Sequence, residues 1–173
     1  KVRADSTTAA FDAASPEGAD VVIVPAQVDP DSPVLTAWLK RQAAKGATVV
    51  SICEGARALG AAGLLEGRRV TTHWKALPAL EKTYPKARWV RDRRYGQDGR
   101  IISTTGVSAS IPVSLALVEA MGGRDVAEAT ARRIGVSDWS DVHRTADYRL
   151  TRADVAAALA SMAAVWTHET LQT

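Results

Sequence analysis

The chain has 173 residues, 46% hydrophobic and 24% charged, a composition that suits one globular domain and excludes disordered and collagen-like classes. One cysteine leaves no internal disulfide, so an oxidising compartment is neither required nor suggested and a cytoplasmic location is expected. A formal charge of +3 is too mild to name nucleic acid as a partner, and no stretch reaches the roughly 18 apolar residues of a membrane span.

Residues 1–18 mix Ser, Thr, Ala and Asp without a sustained period and read as a short strand or loop leading in, with no apolar run that would make a signal peptide. Ala19-Asp20-Val21-Val22-Ile23-Val24-Pro25 is a β-branched run closed by proline, which predicts a strand buried on both faces in the centre of a parallel sheet. Ser32-Pro33 is an N-cap followed by proline at the first helical position, and Leu35, Trp38 and Leu39 follow at helical spacing up to Gly46. Residues 47–52 predict a second buried strand ending on Cys53, with a helix from Glu54 closed by Gly63.

Residues 69–72 read as a third short strand and 75–82 as a helix stopped before Pro85. Residues 87–91, the turn 95–100 and the run 101–104 look like a strand and a hairpin, with Arg88, Arg91, Arg93 and Arg94 on a solvated hairpin face. The stretch from Gly96 to Gly99 reads as a hairpin turn in preference to a phosphate loop. Two helices follow at 109–121 and 125–134, separated by Gly122-Gly123. After Gly135 the texture becomes polar and irregular, and a last helix begins at Thr151 with Asp154 completing a capping-box variant. The domain expectation is therefore 1–136 for the α/β part and 137–173 for a loop plus helix extension. Strands alternating with helices imply an α/β layered fold with a mostly parallel sheet.

Cys53 stands where a buried strand hands over to a helix. At such a corner the side chain is held above the sheet near the positive helix end, which favours thiolate, the nucleophilic form. A lone cysteine also packs readily as a small hydrophobe, so both readings stand at this point. Glu54 shares the corner and either contacts a substrate or caps the helix with its charge. His73 follows a strand, and strand-terminal loops of an open α/β sheet converge on one edge, where Cys53 and His73 can meet. His73, His143 and His168 show no metal-ligand spacing, so neither metal nor cofactor is expected. Of the five tryptophans, Trp74 belongs near the pocket as the neighbour of His73.

The stretch Ile52-Cys53-Glu54-Gly55-Ala56-Arg57-Ala58-Leu59-Gly60-Ala61-Ala62-Gly63-Leu64-Leu65-Glu66-Gly67, followed by Thr71-Thr72-His73-Trp74, resembles the nucleophile-elbow region of the DJ-1/PfpI superfamily. Within it the chain is most similar to isonitrile hydratases and to the amidase-like sensor domains of AraC-type regulators. Asp20 to Pro25 resembles the strand before the family's Pro-Gly-Gly turn, and Thr104 to Ile111 resembles its Thr-Ser-x-Gly-Val-x-Ala-Gly-Ile segment. The resemblance implies a flavodoxin-like parallel sheet flanked by helices, with Cys53 as the catalytic nucleophile and His73 near the thiol; Glu54, directly after the cysteine, is the nearby substitute for the family's acidic catalytic neighbour. It implies a pocket at Ala26, Gln27, Gly55 and Trp74, where the backbone N–H groups of Gln27 and Glu54 form an oxyanion-type site.

Three departures stand beside it. Pro25-Ala26-Gln27 replaces Pro-Gly-Gly, and Pro112 stands where relatives carry Asp. Only eighteen residues precede Ala19, and none reads as the first strand and acidic loop with which relatives open. Two functions follow as expectations. One is a cysteine-dependent hydrolase, hydratase or glyoxalase-like enzyme acting on a small electrophile. The alternative is a non-catalytic small-molecule sensor domain of a transcription regulator, or a redox-sensitive thiol protein. The expected partners are a small-molecule substrate or ligand and further copies of the chain, with no nucleic acid bound by this chain and no membrane.

Overall fold

The computed structural model describes residues 4–91, 93–136 and Trp139, so the extension expected at 137–173 lies outside the described residues apart from that tryptophan. The chain opens with a helix, α1 (Thr8–Ala14), where the sequence predicts a strand or loop. Thr7 caps it, its hydroxyl accepting from the Ala10 N–H at 3.1 Å. The misreading has a physical cause. A seven-residue helix carries almost no periodic signal, and this one is held by what it docks on.

That partner is α2 (Pro33–Ala44), which begins at Ser32 with proline at its first position, as predicted. Phe11 meets Trp38 edge to face at 5.8 Å. Asp12 accepts from Trp38 Nε1 at 3.0 Å, Gln42 Nε2 at 2.9 Å and Arg41 Nη2 at 2.9 Å. Gln42 is fully buried, and its Oε1 accepts from the Ala19 N–H at 2.9 Å, so one amide joins α1, α2 and the approach to the sheet.

The main sheet contains β1 (Val21–Val24), β2 (Thr48–Ser51), β5 (Tyr95–Asp98) and β6 (Ile101–Thr104) in the order β1-β2-β6-β5. The first three neighbours run parallel, and β5 closes antiparallel on β6. Two expectations change here. β1 is an edge strand among the described residues, with Val22 and Val24 buried but Ile23 52% exposed, so its unbroken apolar run does not mark a central position. Tyr95 to Asp98 is strand and not turn; the reversal is made by Gly99, at φ +61°, and Arg100.

Between β2 and β5 the chain forms α3 (Ala56–Ala61), β3 (Arg69–Val70), α4 (Leu77–Thr83) and β4 (Arg88–Trp89), with β3 and β4 paired parallel in a second small sheet. The arginines expected on one solvated hairpin face take separate tasks. Arg88 donates to the Gly67 carbonyl and Arg91 pairs with Glu81. The final helices are α5 (Val107–Gly122) and α6 (Arg124–Arg133).

The period-two alternation of the strands assigns the layers. Val22, Val24 and Val49 pack with Leu39 of α2, Leu59 of α3 and Leu80 of α4 on one face. Val50 and Ile102 pack with Val113 of α5 on the other. Leu115 of α5, Ala127 and Ala131 of α6, and Trp139 form a further cluster. The result is the expected α/β architecture, a sheet with parallel strands between helical layers.

Candidate functional site

Ile52 leaves β2 still extended and donates its N–H to the Val24 carbonyl at 2.9 Å. The next residue breaks the pattern: Cys53 has φ +57°, the one non-glycine residue at positive φ among the described residues. A three-residue 3₁₀ turn, Cys53–Gly55, then leads into α3. A left-handed cysteine costs about 1 kcal/mol or more and persists only where its surroundings fix it.

Three contacts do so. The Cys53 N–H donates to Thr104 Oγ1 at 3.3 Å, at the end of β6. The Cys53 carbonyl accepts from Thr72 Oγ1 at 2.9 Å, beyond the end of β3. A Cβ on Gly55 would lie 1.9 Å from the Val24 carbonyl oxygen and 3.0 Å from that of Pro25, so only glycine lets the turn close onto the end of β1. The Gly55 position is thus a matter of space, not of φ.

The Cys53 thiol is partly exposed and pushed above its ordinary value, first by burial and also by the Glu54 charge, against a hydrogen bond from the Glu54 backbone N–H. This reverses the expectation that the corner favours thiolate. The 3₁₀ turn and the six-residue α3 provide little dipole to offset desolvation. Glu54 is turned to its own helix, Oε2 accepting from Arg57 Nε at 2.8 Å.

His73 lies next to Thr72, so the same strand end that bonds Cys53 also carries the imidazole. Its carbonyl accepts from the Ala76 and Leu77 N–H groups at 2.9 and 3.1 Å, which opens α4. Its Nδ1 is buried without a hydrogen-bond partner, and its ring lies 5.4 Å from that of Trp74, which is 48% exposed. Among the described residues no hydrogen bond joins Cys53 to His73. Ala26 and Gln27 are on the exposed loop after β1, where Gln27 Nε2 donates to the Pro25 carbonyl at 3.1 Å.

Thr72 and Thr104 hold the elbow, yet sequence reasoning gave neither a site role. The available signal was Ser103-Thr104-Thr105, three buried hydroxyls ending a strand: Ser103 Oγ accepts from the Thr71 N–H at 2.8 Å, and Thr105 bonds the Arg94 carbonyl. A cavity of about 100 Å³ opens beside this ensemble, lined by Thr71, Thr72, Trp74, Arg93 and Thr105 among others. Among the described residues no group of three His, Cys, Asp or Glu could hold a metal ion, and no helix is long and apolar enough to cross a membrane.

Comparison with known proteins gives the chain a family and a fold. The DJ-1/PfpI family matches residues 2–120, beginning well ahead of Ala19, so the segment containing α1 is part of the match. An isonitrile hydratase from Pseudomonas putida is 39% identical over 94 residues, covering 53% of this chain and 39% of the hydratase. The HTH-type transcriptional regulator CdhR from Pseudomonas aeruginosa is 36% identical over 96 residues, covering 56% of this chain and 28% of the regulator. The chain thus spans well under half the length of these curated relatives. Among solved structures, a DJ-1 superfamily protein from Salmonella typhimurium superposes with a TM-score of 0.63 at 28% identity, covering 79% of this chain and 73% of that one. An AraC family transcriptional regulator from Pseudomonas putida gives 0.62 at 22% identity, covering 78% and 70%, a likeness of fold.

Proposed function

Because the chain belongs to the DJ-1/PfpI family, we propose that it acts through Cys53 as a nucleophile on a small electrophilic substrate, in hydrolase- or hydratase-like chemistry. The observation that carries this reading is the left-handed backbone of Cys53, a strained conformation fixed by Thr72, by Thr104 and by the close packing of Gly55, in the same turn, on the end of β1. In this reading Sγ bonds to a carbonyl or isonitrile carbon while the thiol proton passes to the imidazole of His73, whose buried Nδ1 has no other partner. Charge developing on the substrate heteroatom is held by the backbone N–H groups of Glu54 and Gln27, and Trp74 walls the pocket. His73 then returns the proton, to the departing amine nitrogen of an amide or to the attacked carbon of an isonitrile, and water adds to the Sγ-bound carbon so that the carbon–sulfur bond breaks and Cys53 regains its proton.

Turnover of an isonitrile, a simple amide and methylglyoxal by the protein and by its Cys53→Ser variant tests this. Loss of a measurable rate in the variant is expected; equal rates, or none with either protein, overturn it.

A second reading, a small-molecule sensor domain, is favoured by the raised thiol and by the engagement of Glu54 with Arg57, which leaves the sulfur without a carboxyl partner among the described residues. Binding of such ligands without turnover, unchanged in Cys53→Ser, selects it. Either way we place the protein in the cytoplasm as a homo-oligomer, with 1–136 as the pocket-bearing domain and 137–173 as an extension.

A further inference from the structure

Burial sorts the residues of the elbow into two sides. Gly55, Ala56, Ala58 and Leu59 are buried, whereas Cys53, Glu54 and Arg57 are partly exposed. Positions 53, 54 and 57 recur at helical spacing, so the thiol, the carboxylate and the guanidinium belong to the open side of one turn. Glu54 is the common neighbour: its charge acts on the thiol, and its Oε2 accepts from Arg57 Nε at 2.8 Å.

Arg57 is only partly used. A guanidinium carries several N–H donors, and Glu54 takes the Nε one alone; the Nη groups make no hydrogen bond among the described residues. The backbone beneath them is fixed, because the Tyr84 hydroxyl donates to the Arg57 carbonyl at 3.2 Å and Ala56 and Ala58 on either side are fully buried. The side chains of Arg57 and Glu54 are 34% and 38% exposed, and an ion pair that open is weak, which leaves the fork available to a second carboxylate. We infer that the electrophile attacked by Cys53 carries a carboxylate, held by two parallel hydrogen bonds from the Arg57 Nη groups while its reactive carbon meets Sγ. This substrate class rests on Cys53 being a nucleophile, as proposed above, and sets small carboxylate-bearing electrophiles ahead of neutral ones.

Iodoacetate and iodoacetamide test it, because one carries a carboxylate where the other carries a neutral amide. Both react by the same step: Sγ bonds to the methylene carbon, iodide leaves with the bonding pair, and the thiol proton goes to solvent. Both also read the same thiolate, so the ratio of their rates cancels the protonation of the thiol. For the full chain at one alkaline pH, the iodoacetate-to-iodoacetamide ratio is expected to be roughly fivefold or more above that of N-acetylcysteine amide, the scale of one favourable charge contact near a protein surface. Arg57→Gln should return it to the value of that free thiol or below. A ratio for the unaltered chain equal to the free thiol's, or one unchanged in Arg57→Gln, overturns the inference, and the first outcome needs no variant to fold. Labelling by both reagents in an ordinary ratio overturns the carboxylate class alone, whereas no labelling by either overturns the nucleophile reading with it.

Discussion

Gly55 shows how little freedom the elbow has. A methyl group there would overlap the Val24 carbonyl at 1.9 Å, and neither partner is the end of a flexible side chain. Gly55→Ala should therefore cost about 2 kcal/mol or more in chemical denaturation, in the range of overpacked sites, and unchanged stability would contradict the close approach. Thr104→Val removes the acceptor for the Cys53 N–H and should cost about 1 kcal/mol. Cys53 itself holds its proton more tightly in the folded state than in the unfolded chain. Its contribution to stability is complete below the unfolded thiol value of about 8.5 and is lost as pH rises through the higher folded one. Alkylation by iodoacetamide in the native protein should accordingly accelerate only above the ordinary thiol range. A midpoint below that range would show that the elbow activates the sulfur after all. Cys53, Glu54 and Gly55 were legible in the sequence because they are contiguous in a turn signature. The tasks of Thr72 and Thr104 were not, since a hydroxyl at a strand end reveals its acceptor or donor only after the strands are placed.

The elements differ in how they are specified. α2 declares itself through Ser32-Pro33 and its apolar spacing, and β2 through a buried β-branched run, so both were readable from local order. α1 depends on tertiary partners, above all the Asp12 carboxylate that collects donors from Trp38, Arg41 and Gln42. These bonds, with Arg41 foremost, hold Asp12 below the usual carboxylate range. The native state therefore takes up that proton less readily than the unfolded chain, and this support is present above the unfolded carboxylate value and lost as pH falls through the lower folded one. Asp12→Ala should abolish amide exchange protection from Phe11 to Ser15 and red-shift Trp38 emission while the sheet amides stay protected. If α1 remains as protected as before, the carboxylate is not its anchor. The error over β1 has a related source, because an apolar run reports hydrophobicity on both faces but says nothing about neighbours in the sheet. Tyr95 to Asp98, with Gly, Gln and Asp, lacks the β-branched signal altogether and becomes strand by pairing with β6.

At the scale of the whole molecule, the described residues leave a strand edge and the exposed Ile23 at β1, an edge that proteins ordinarily cover or pair. We expect the homo-oligomer to be seen by light scattering, and a monomer across micromolar concentrations would refute it. The contacts around Cys53 have a consequence for folding as well. Thr104 is 51 residues from the cysteine in sequence and Thr72 is 19, so the strained turn closes only when distant segments have met. Loop closure over such spans is a late and entropically costly event. Until β6 docks, Cys53 is free to relax to ordinary backbone and behave as an accessible thiol. Pulse-labelling that residue during refolding would then time the completion of the domain, because the turn that follows β2 takes its conformation only after β6 has docked.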